Sequence, residues 1–481
     1  MKNEAIDNLF NPASIALVGV SSDSAKPGAA QWFLKSLINF GYKGKIYGVH
    51  PAGGEIYGVR VYTSVKDIPG PLDYVVSAIP ARFTPGLMKD CAAKGVKVVH
   101  LFTSGYSEIE DQAGGALQAE VLNTARQAGI RIIGPNCMGF YCPAAGVTFA
   151  GEYPEQEGFP VKPGWLGLIS QSGGNCIFGI RDAASRGVFF SKAISFGNAA
   201  DINESDLLEY MAEDPETKII AMYLEGLADP PRFIKALKKA AVIKPVIINK
   251  AGNSETGARM CASHTGAIAG LAGTWRSVLK QVGAIQVDNM QELVDISVAI
   301  SHLPLPPGRN VAVIGSGGGV GVQAADDVTR ACLKVPMLRE DVRRKLRGIY
   351  GTEAGSIFRN PVDVPPLAGK EQYIKAVRAV ADSDDIDVVL IHFPFDLWAL
   401  ANRSMLMGTF AGVVTELAGS INKPLAIVLH YCASAKATRL AGEAQEKFVG
   451  LGLPVFPSVP RAAVAINRYI TYNEFKAAHD Q

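Results

Sequence analysis

His264 stands alone in "MCASHTGAIAG", Met260 to Gly270, a run of small and hydroxyl residues that leaves its imidazole thinly covered. Glu225 closes the apolar run "TKIIAMYLEG", where a carboxylate is costly unless it has a partner or a task. "ISQSGGN", Ile169 to Asn175, reads as a strand running into a helix N-terminus. The unsatisfied backbone N–H groups and the positive end of the helix dipole there suit a dianion. "IIGPNCMGF" and "SFGNAADINESD" end strands in the same way, so several chemistry-bearing turns fall in or beside one central stretch. Each has a plainer reading. Ser263 or Thr265 would cap a helix beginning "AIAGLAGTWRSVLKQVG", with His264 merely beside the cap, and strand-to-helix turns are common. Cys137 has no histidine near it in sequence and reads as a packing residue.

Two glycine-rich turns invite a nucleotide reading. "GVSSDSAKPGAA", Gly19 to Ala30, follows the first strand without a GxGxxG pattern. Its Ser21, Ser22 and Lys26 suit a phosphate near the next helix, or form an ordinary loop with a surface lysine. "GSGGGVG", Gly315 to Gly321, never places glycines at the first, third and sixth positions, and reads as a close-packing turn. Neither Gly44–Lys45 nor Gly369–Lys370 precedes Ser or Thr, so a Walker A loop is not expected.

The elements that must hold these residues alternate β-branched runs with helical patterns, the signature of βαβ units on parallel sheets. "SIALVGV", "GKIYGVHP", "DYVVSAIP", "VKVVHLF" and "IRIIGPN" form one Rossmann-like series over 1–145. The segment "GEYPEQEGFPVKPG" reads as a linker, and a second series over 146–303 runs from "WLGLISQSGGN" to "AIQVD". After "LPLPPG", a third series over 304–481 holds "NVAVIGSGGGVG", "DVVLIHFPF", "PLAIVLHY" and "LPVFPSVP". The fold class is therefore α/β, with three successive Rossmann-like or flavodoxin-like domains whose ligands belong at the carboxyl ends of strands. The 481 residues suit about three domains. With 48% hydrophobic and 19% charged residues and a net charge of +2, neither nucleic acid nor a membrane surface is an expected partner. No apolar run reaches the roughly 20 residues of a membrane span. The acidic start "MKNEAIDNLFNP" lacks the apolar core of a signal peptide. Seven irregularly spaced cysteines read as reduced thiols, so a cytoplasmic location is expected, and a zinc site is not.

Taken in order, "KPG" at Lys26–Gly28, "GPNCMG" at Gly134–Gly139, "SQSGG" at Ser170–Gly174, "SFGN" at Ser195–Asn198, "SHTGA" at Ser263–Ala267 and "NPVD" at Asn360–Asp363 carry a resemblance. Over nearly its whole length the chain resembles the α subunit of NDP-forming acyl-CoA synthetases, relatives of the succinyl-CoA synthetase α subunit. The resemblance implies a CoA-binding first domain, a phosphohistidine second domain and a ligase-type flavodoxin-like third domain. It implies that CoA is held through Gly19, Ser21, Ser22, Lys26 and Gly28, then His50 and Pro51, then Ile79 and Pro80. His50 is a departure, since relatives commonly place Asn before that proline. His264 matches the phosphorylated histidine and Glu225 the carboxylate that steadies it. Ser170, Gln171, Ser172, Gly173 and Gly174 would hold the phosphoryl group, and Asn136 would polarise an acyl or phosphate oxygen.

The implied reaction interconverts acyl-CoA, phosphate and ADP with acid, CoA and ATP through an acyl phosphate and a phosphohistidine. Neutral imidazole, with a reference pKa of about 6.5, is a good nucleophile at neutral pH, and a carboxylate on one ring nitrogen aims the other. Such enzymes also need an ATP-grasp domain for ATP or ADP and Mg2+, and three α/β domains leave no length for it. Either a separate β subunit supplies it, in an α2β2 heterotetramer, or the chain is a non-synthetase relative that binds CoA or acyl-CoA. No metal ligands are expected within this chain, and the substrate acid is not legible.

Overall fold

Short β-branched runs alternating with helices produce three mostly parallel sheets. The computed structural model describes the chain except residues 1, 23–27, 110–111, 150–158, 266–271, 316, 353, 365–368, 394–403, 431–433 and 480–481. The first sheet holds β1 (Ser14–Val18), β2 (Lys45–Val49), β3 (Gly54–Ile56), β4 (Val59–Tyr62), β5 (Tyr74–Ser77), β6 (Val98–Leu101) and β7 (Arg131–Ile133). Their order is β3-β4-β2-β1-β5-β6-β7, and only the β3–β4 edge is antiparallel. β1, β5 and β6 are buried along their whole length, as strands covered on both faces must be.

The second sheet holds β8 (Gly139–Tyr141), β9 (Leu166–Ser170), β10 (Phe190–Ser195), β11 (Ile219–Leu224), β12 (Val246–Lys250) and β13 (Ile285–Val287), in the order β13-β12-β11-β9-β10-β8. The third holds β14 (Val311–Gly315), β15 (Ile357–Phe358), β16 (Val362–Asp363), β17 (Val388–Phe393), β18 (Leu425–Leu429) and β19 (Val455–Phe456), in the order β15-β16-β14-β17-β18-β19. One compact unit, 1–181 with 189–293, carries the first two sheets; a second, 182–188 with 294–481, carries the third. Among the described residues no helix is long and apolar enough to cross a membrane.

The strands expected from sequence all form. The ones not foreseen are β3, β4, β8, β15 and β16, whose two to four residues are too few to show a period. β8 lies within the span expected for the first domain, yet it pairs antiparallel with β10 and so belongs to the second sheet.

In each sheet the chain first lays one or more strands on one side of the leading strand and then the remaining strands on the other. The resulting switch points lie between β1 and β5, β9 and β11, and β14 and β17. There the loops diverge and leave a crevice at the carboxyl ends of the strands. Helix Ala29–Phe40 leaves the first of these from Gly28 and stops at Gly41, whose φ of 82° is the left-handed conformation glycine adopts freely. Arg131 on β7 pairs with Asp201 at 2.8 Å and Asp206 at 3.3 Å, and Arg232 meets Asp206 at 2.7 Å. These links fix the end of the first sheet against the segment that follows β10.

Candidate functional site

The residues expected to hold CoA lie at the carboxyl ends of three neighbouring strands, β2, β1 and β5. After β1, Gly19 has φ 104° and donates to Val49 O at 2.9 Å. A Cβ there would lie 3.1 Å from Ala78 O, so glycine lets the two switch-point loops approach. Gln31 Nε2 donates to Ser21 O at 2.6 Å and pins the turn, while Ser22 is exposed. Gly28 precedes helix Ala29–Phe40 with no side-chain cap. The first N–H groups of that helix have no intrahelical acceptor. After β2, His50 donates its backbone N–H to Tyr62 O, and its Nδ1 accepts from Ala52 N at 3.2 Å, beside exposed Pro51. After β5, Ile79 O accepts from Thr103 Oγ1 at 2.8 Å and Pro80 is exposed. Lys26 lies outside the described residues.

Asn136 follows β7 in the left-handed region, φ 57°, and its N–H donates to Thr103 O. Asn198 N donates to Pro135 O and Ala200 N to Gly134 O, both at 3.0 Å, so the "GPNCMG" and "SFGN" turns interlock. A Cβ at Gly197 would sit 2.3 Å from Pro135 O and 2.4 Å from Asn136 O, which only glycine allows. Glu108 orients the arrangement. Its Oε1 accepts from Gly105 N at 2.5 Å and its Oε2 from Asn198 Nδ2 at 2.6 Å, which turns Asn198 Oδ1 toward Asn136 Nδ2 at 3.5 Å. Behind the turn, buried His100 bonds Cys137 O through Nε2 at 2.9 Å and Tyr74 Oη through Nδ1 at 3.0 Å. A carbonyl only accepts, so Nε2 carries the proton. Burial pulls this imidazole down to about 4, which keeps it neutral. Burial likewise pushes the Cys137 thiol well up, which suits packing and not nucleophilic attack.

At the β9–β11 switch point, Ser170 Oγ donates to Ser172 O at 2.7 Å, and Ser172 Oγ accepts from Asn175 N at 3.3 Å. These bonds shape the entry to helix Gly173–Ser185, whose first N–H groups, on Gly173 and Gly174, have no carbonyl one turn earlier to meet. Gly173 is also tight, since its Cβ would lie 2.3 Å from Met138 Cγ; this joins the "SQSGG" turn to the "GPNCMG" turn. Gln171 reaches across, and its Oε1 accepts from Glu225 N at 2.7 Å and Gly226 N at 3.1 Å. Glu225 is buried, with Oε1 accepting from Tyr223 Oη at 3.3 Å. Burial raises the Tyr223 phenol and the Glu225 charge adds to it, so it remains a donor.

His264 falls in the last turn of helix Glu255–Thr265, and its side chain lies outside the described residues. Ser263 and Thr265 thus lie within a helix already begun at Glu255 instead of starting one, which corrects the capping reading. Ser254 is the residue at the start, where its Oγ accepts from Gly257 N at 3.0 Å. Cys261, three residues before His264, interacts electrostatically with Glu225 and Lys250, so this helix lies beside the Glu225 end of the sheet. Sequence reasoning missed Lys250, Tyr223 and Glu108 as site-building residues, and named Asn198 only as the end of the "SFGN" motif. A strand-ending lysine and isolated polar residues give no spacing signal.

The third sheet has a cavity of about 300 Å³ at its own switch point, lined by Gly315, Gly317, Asp326, Arg359, Asp363 and His392. A Cβ on Gly315 would lie 1.9 Å from His392 Nε2, so the glycine run is a close-packing turn against that ring. The "NPVD" motif braces it. Asn360 donates to Val311 O and Pro336 O and accepts from Val313 N, while Asp363 Oδ1 accepts from Gly317 N at 3.0 Å.

The chain is similar to known proteins. A CoA binding domain model matches residues 13–143, and a succinyl-CoA ligase like flavodoxin domain model matches 163–300. The α subunit of ADP-forming acetate–CoA ligase I from Pyrococcus furiosus is 34% identical over 484 residues, covering 99% of this chain and 100% of the relative. An ADP-forming acetate–CoA ligase from Methanocaldococcus jannaschii is 36% identical over 357 residues, covering 73% of this chain but only 48% of the relative. Among solved structures, the dinucleotide-forming acetyl-coenzyme A synthetase 1 of Candidatus Korarchaeum cryptofilum, in complex with phosphate and ADP, superposes with a TM-score of 0.81. It shows 28% identity, with 98% of this chain and 97% of that one covered.

Proposed function

The chain belongs to the ADP-forming acyl-CoA ligase family as an α-subunit type, and on that premise we propose how its residues divide the work. The reaction is acid–thiol ligation, run in either direction: acyl-CoA, phosphate and ADP against acid, CoA and ATP. CoA is assigned to the ends of β2, β1 and β5, with its phosphates near Ser21, Ser22, Lys26 and the helix that follows Gly28. Asn136, held in a left-handed turn by Thr103 and Asn198, presents its amide to an acyl or phosphate oxygen. Gly173 and Gly174 offer backbone N–H groups to the oxygens of a phosphoryl group in transit. His264 takes that phosphoryl group on a ring nitrogen, while the Glu225 carboxylate accepts a hydrogen bond from the other and stabilises the charge that develops. The observation that carries this reading is the meeting at one switch point of a helix N-terminus, a buried carboxylate and the helix bearing His264.

ATP or ADP and Mg2+ are assigned to a separate ATP-grasp β subunit, in an α2β2 assembly. The Methanocaldococcus relative supports this, because the match fills about half of its length and leaves room there for a second module. Among the described residues no group of three His, Cys, Asp or Glu side chains is placed to hold a metal ion.

The test is to incubate the chain with labelled inorganic phosphate and a panel of acyl-CoAs, beginning with acetyl-CoA. Label that survives base, is lost in acid and is absent from His264→Asn supports the reading, since a phosphoramidate behaves so and a phosphoserine on Ser263 does not. Acyl-CoA binding with no label under any condition overturns it in favour of a CoA-binding relative without phosphoryl chemistry.

A further inference from the structure

The loop after β6 reaches Asn136 twice. Thr103 O accepts from Asn136 N at 3.2 Å, and Glu108 reaches the Asn136 side chain by way of Asn198. Glu108 is itself held on its own loop. Gly105, at φ 108°, and Tyr106 turn their backbone N–H groups onto Oε1, at 2.5 Å and 3.2 Å. Oε2 is turned to Asn198 Nδ2 at 2.6 Å.

The two ends of an amide are nearly the same shape, so hydrogen-bond partners decide which way it faces. A carboxylate accepts at both oxygens. Asn198 must therefore give Glu108 its nitrogen, and its oxygen is the end left to face Asn136. Asn136 in turn gives that oxygen its own nitrogen, at 3.5 Å. One hydrogen of Asn136 Nδ2 is used in this way, and the other has no protein partner among the described residues. The left-handed turn alone does not do this. Its φ of 57° and its backbone bonds place the Asn136 side chain without ordering the two ends of its amide.

We propose that Glu108 is a positioning residue for the reaction, fixing through Asn198 which end of the Asn136 amide faces the reacting oxygen, so that a donor meets it and not a second lone pair. The inference rests on the reading of Asn136 given above. A donor aimed at an oxygen that gains charge is worth roughly 10²–10³-fold in rate in other enzymes, and a carbonyl in its place repels that charge. Glu108→Gln reverses the series while keeping its shape. The new Oε1 can still accept from Gly105 and Tyr106, while an amide nitrogen replaces Oε2. Asn198 then turns its oxygen to that nitrogen and its nitrogen to Asn136, which leaves the Asn136 oxygen facing the substrate.

The experiment follows the rate of His264 labelling from inorganic phosphate and acetyl-CoA in the full chain, as a function of acetyl-CoA concentration. Glu108→Gln should lower the maximal rate by roughly tenfold or more, with the half-saturating concentration and the thermal midpoint near wild type. In an Asn136→Ala background the same substitution should cost nothing further, because the amide that it reverses is gone. A loss that recurs in full in that background overturns the proposal, since a carboxylate that only shaped its loop would act regardless of Asn136. A wild-type maximal rate for Glu108→Gln overturns it too. If Glu108→Gln does not fold, Asn198→Ala decides, because it leaves the Glu108 loop bonds in place and cuts the link to Asn136. Its maximal rate should fall, and the fall should vanish in the Asn136→Ala background; a wild-type rate counts against the proposal. Wild-type labelling by Asn136→Ala, or no label in wild type, would remove the site reading itself. Slow Asn136→Ala beside an unchanged Glu108→Gln would remove only the role of Glu108.

Discussion

The second and third sheets are built on one plan. In each, an antiparallel edge strand, β8 or β15, borders a parallel strand, followed by the leading strand and three more in sequence order. The registers align the two residue by residue. Ser170 pairs with Tyr223 in one, where Ile314 followed by Gly315 pairs with Ile391 followed by His392 in the other. Leu224 pairs with Lys250, where Phe393 pairs with Leu429. The same switch point therefore carries a serine, a phenol and a buried ammonium in the second sheet, but a glycine, a neutral imidazole and a leucine in the third. His392 is held down to about 4 by burial and by neighbouring His430, so that ring stays neutral at neutral pH. Topology supplies the crevice twice; the buried charges sit in one copy. Function follows the side chains grafted onto a repeated frame.

The sharpest way to break this contrast is Glu225→Gln. An amide keeps the shape but cannot stabilise charge growing on the imidazole, so labelling of His264 should slow by roughly 10²-fold or more. Thermal unfolding should be close to wild type. Normal labelling kinetics would reduce Glu225 to a strand-end residue and erase the difference between the two copies.

Acid stability tests the neutral side of the comparison. His100 and His392 both titrate at about 4 when folded, below the ordinary value near 6.5. Between those limits the unfolded chain binds protons that the folded chain does not. The stabilisation is therefore complete above about 6.5 and is lost as pH falls toward 4, by up to about 1.4 kcal/mol per unit for each histidine. His100→Gln can keep the bond to Cys137 O without titrating. Its denaturation midpoint should fall less steeply than wild type over that window, and so should that of His392→Gln. Parallel slopes would mean that these imidazoles accept protons while folded.

The glycines give the next largest effect. Gly197→Ala forces a methyl against two backbone oxygens and adds a left-handed φ of 57°, so a loss of about 1–3 kcal/mol from overpacking and about 1 kcal/mol from the backbone is expected. Gly315→Ala meets a side chain, the His392 ring, instead of backbone and needs no left-handed φ, so its loss should be the smaller. Chemical denaturation of both variants measures the order.

Much of this was legible in the sequence, and the gaps have physical causes. Strand runs such as "SIALVGV" and "TKIIAMYLEG" announce themselves because central parallel strands are apolar on both faces. Glu225 stood out because it interrupts such a run. Lys250 did not, because a lysine ending "VIINK" looks like a surface charge until its burial is seen. Glu108 and Asn198 lie 90 residues apart and meet only through the interlock of two turns. The common plan of the second and third sheets was hidden too, since strand order is preserved where residue types are not.

The smallest expected effect lies in the first sheet, whose switch point has neither the buried carboxylate and ammonium of the second nor the buried histidine of the third. What it offers an anion is backbone: the bent turn after β1, fixed by Gln31 on Ser21 O, and the uncapped helix start after Gly28. Such a site binds by several N–H groups acting together, so one side chain should matter modestly. Lys26, outside the described residues, is the cation that the sequence "GVSSDSAKPGAA" offers there. Lys26→Ala should therefore weaken CoA binding by roughly tenfold, the worth of one charge-assisted hydrogen bond. Calorimetric titration of the full chain with CoA measures it, with Lys26→Arg expected to recover most of the loss. A loss of a hundredfold or more would mean that the lysine, and not the backbone, dominates phosphate binding here. Unchanged affinity would take Lys26 out of the site and leave the helix start to act alone.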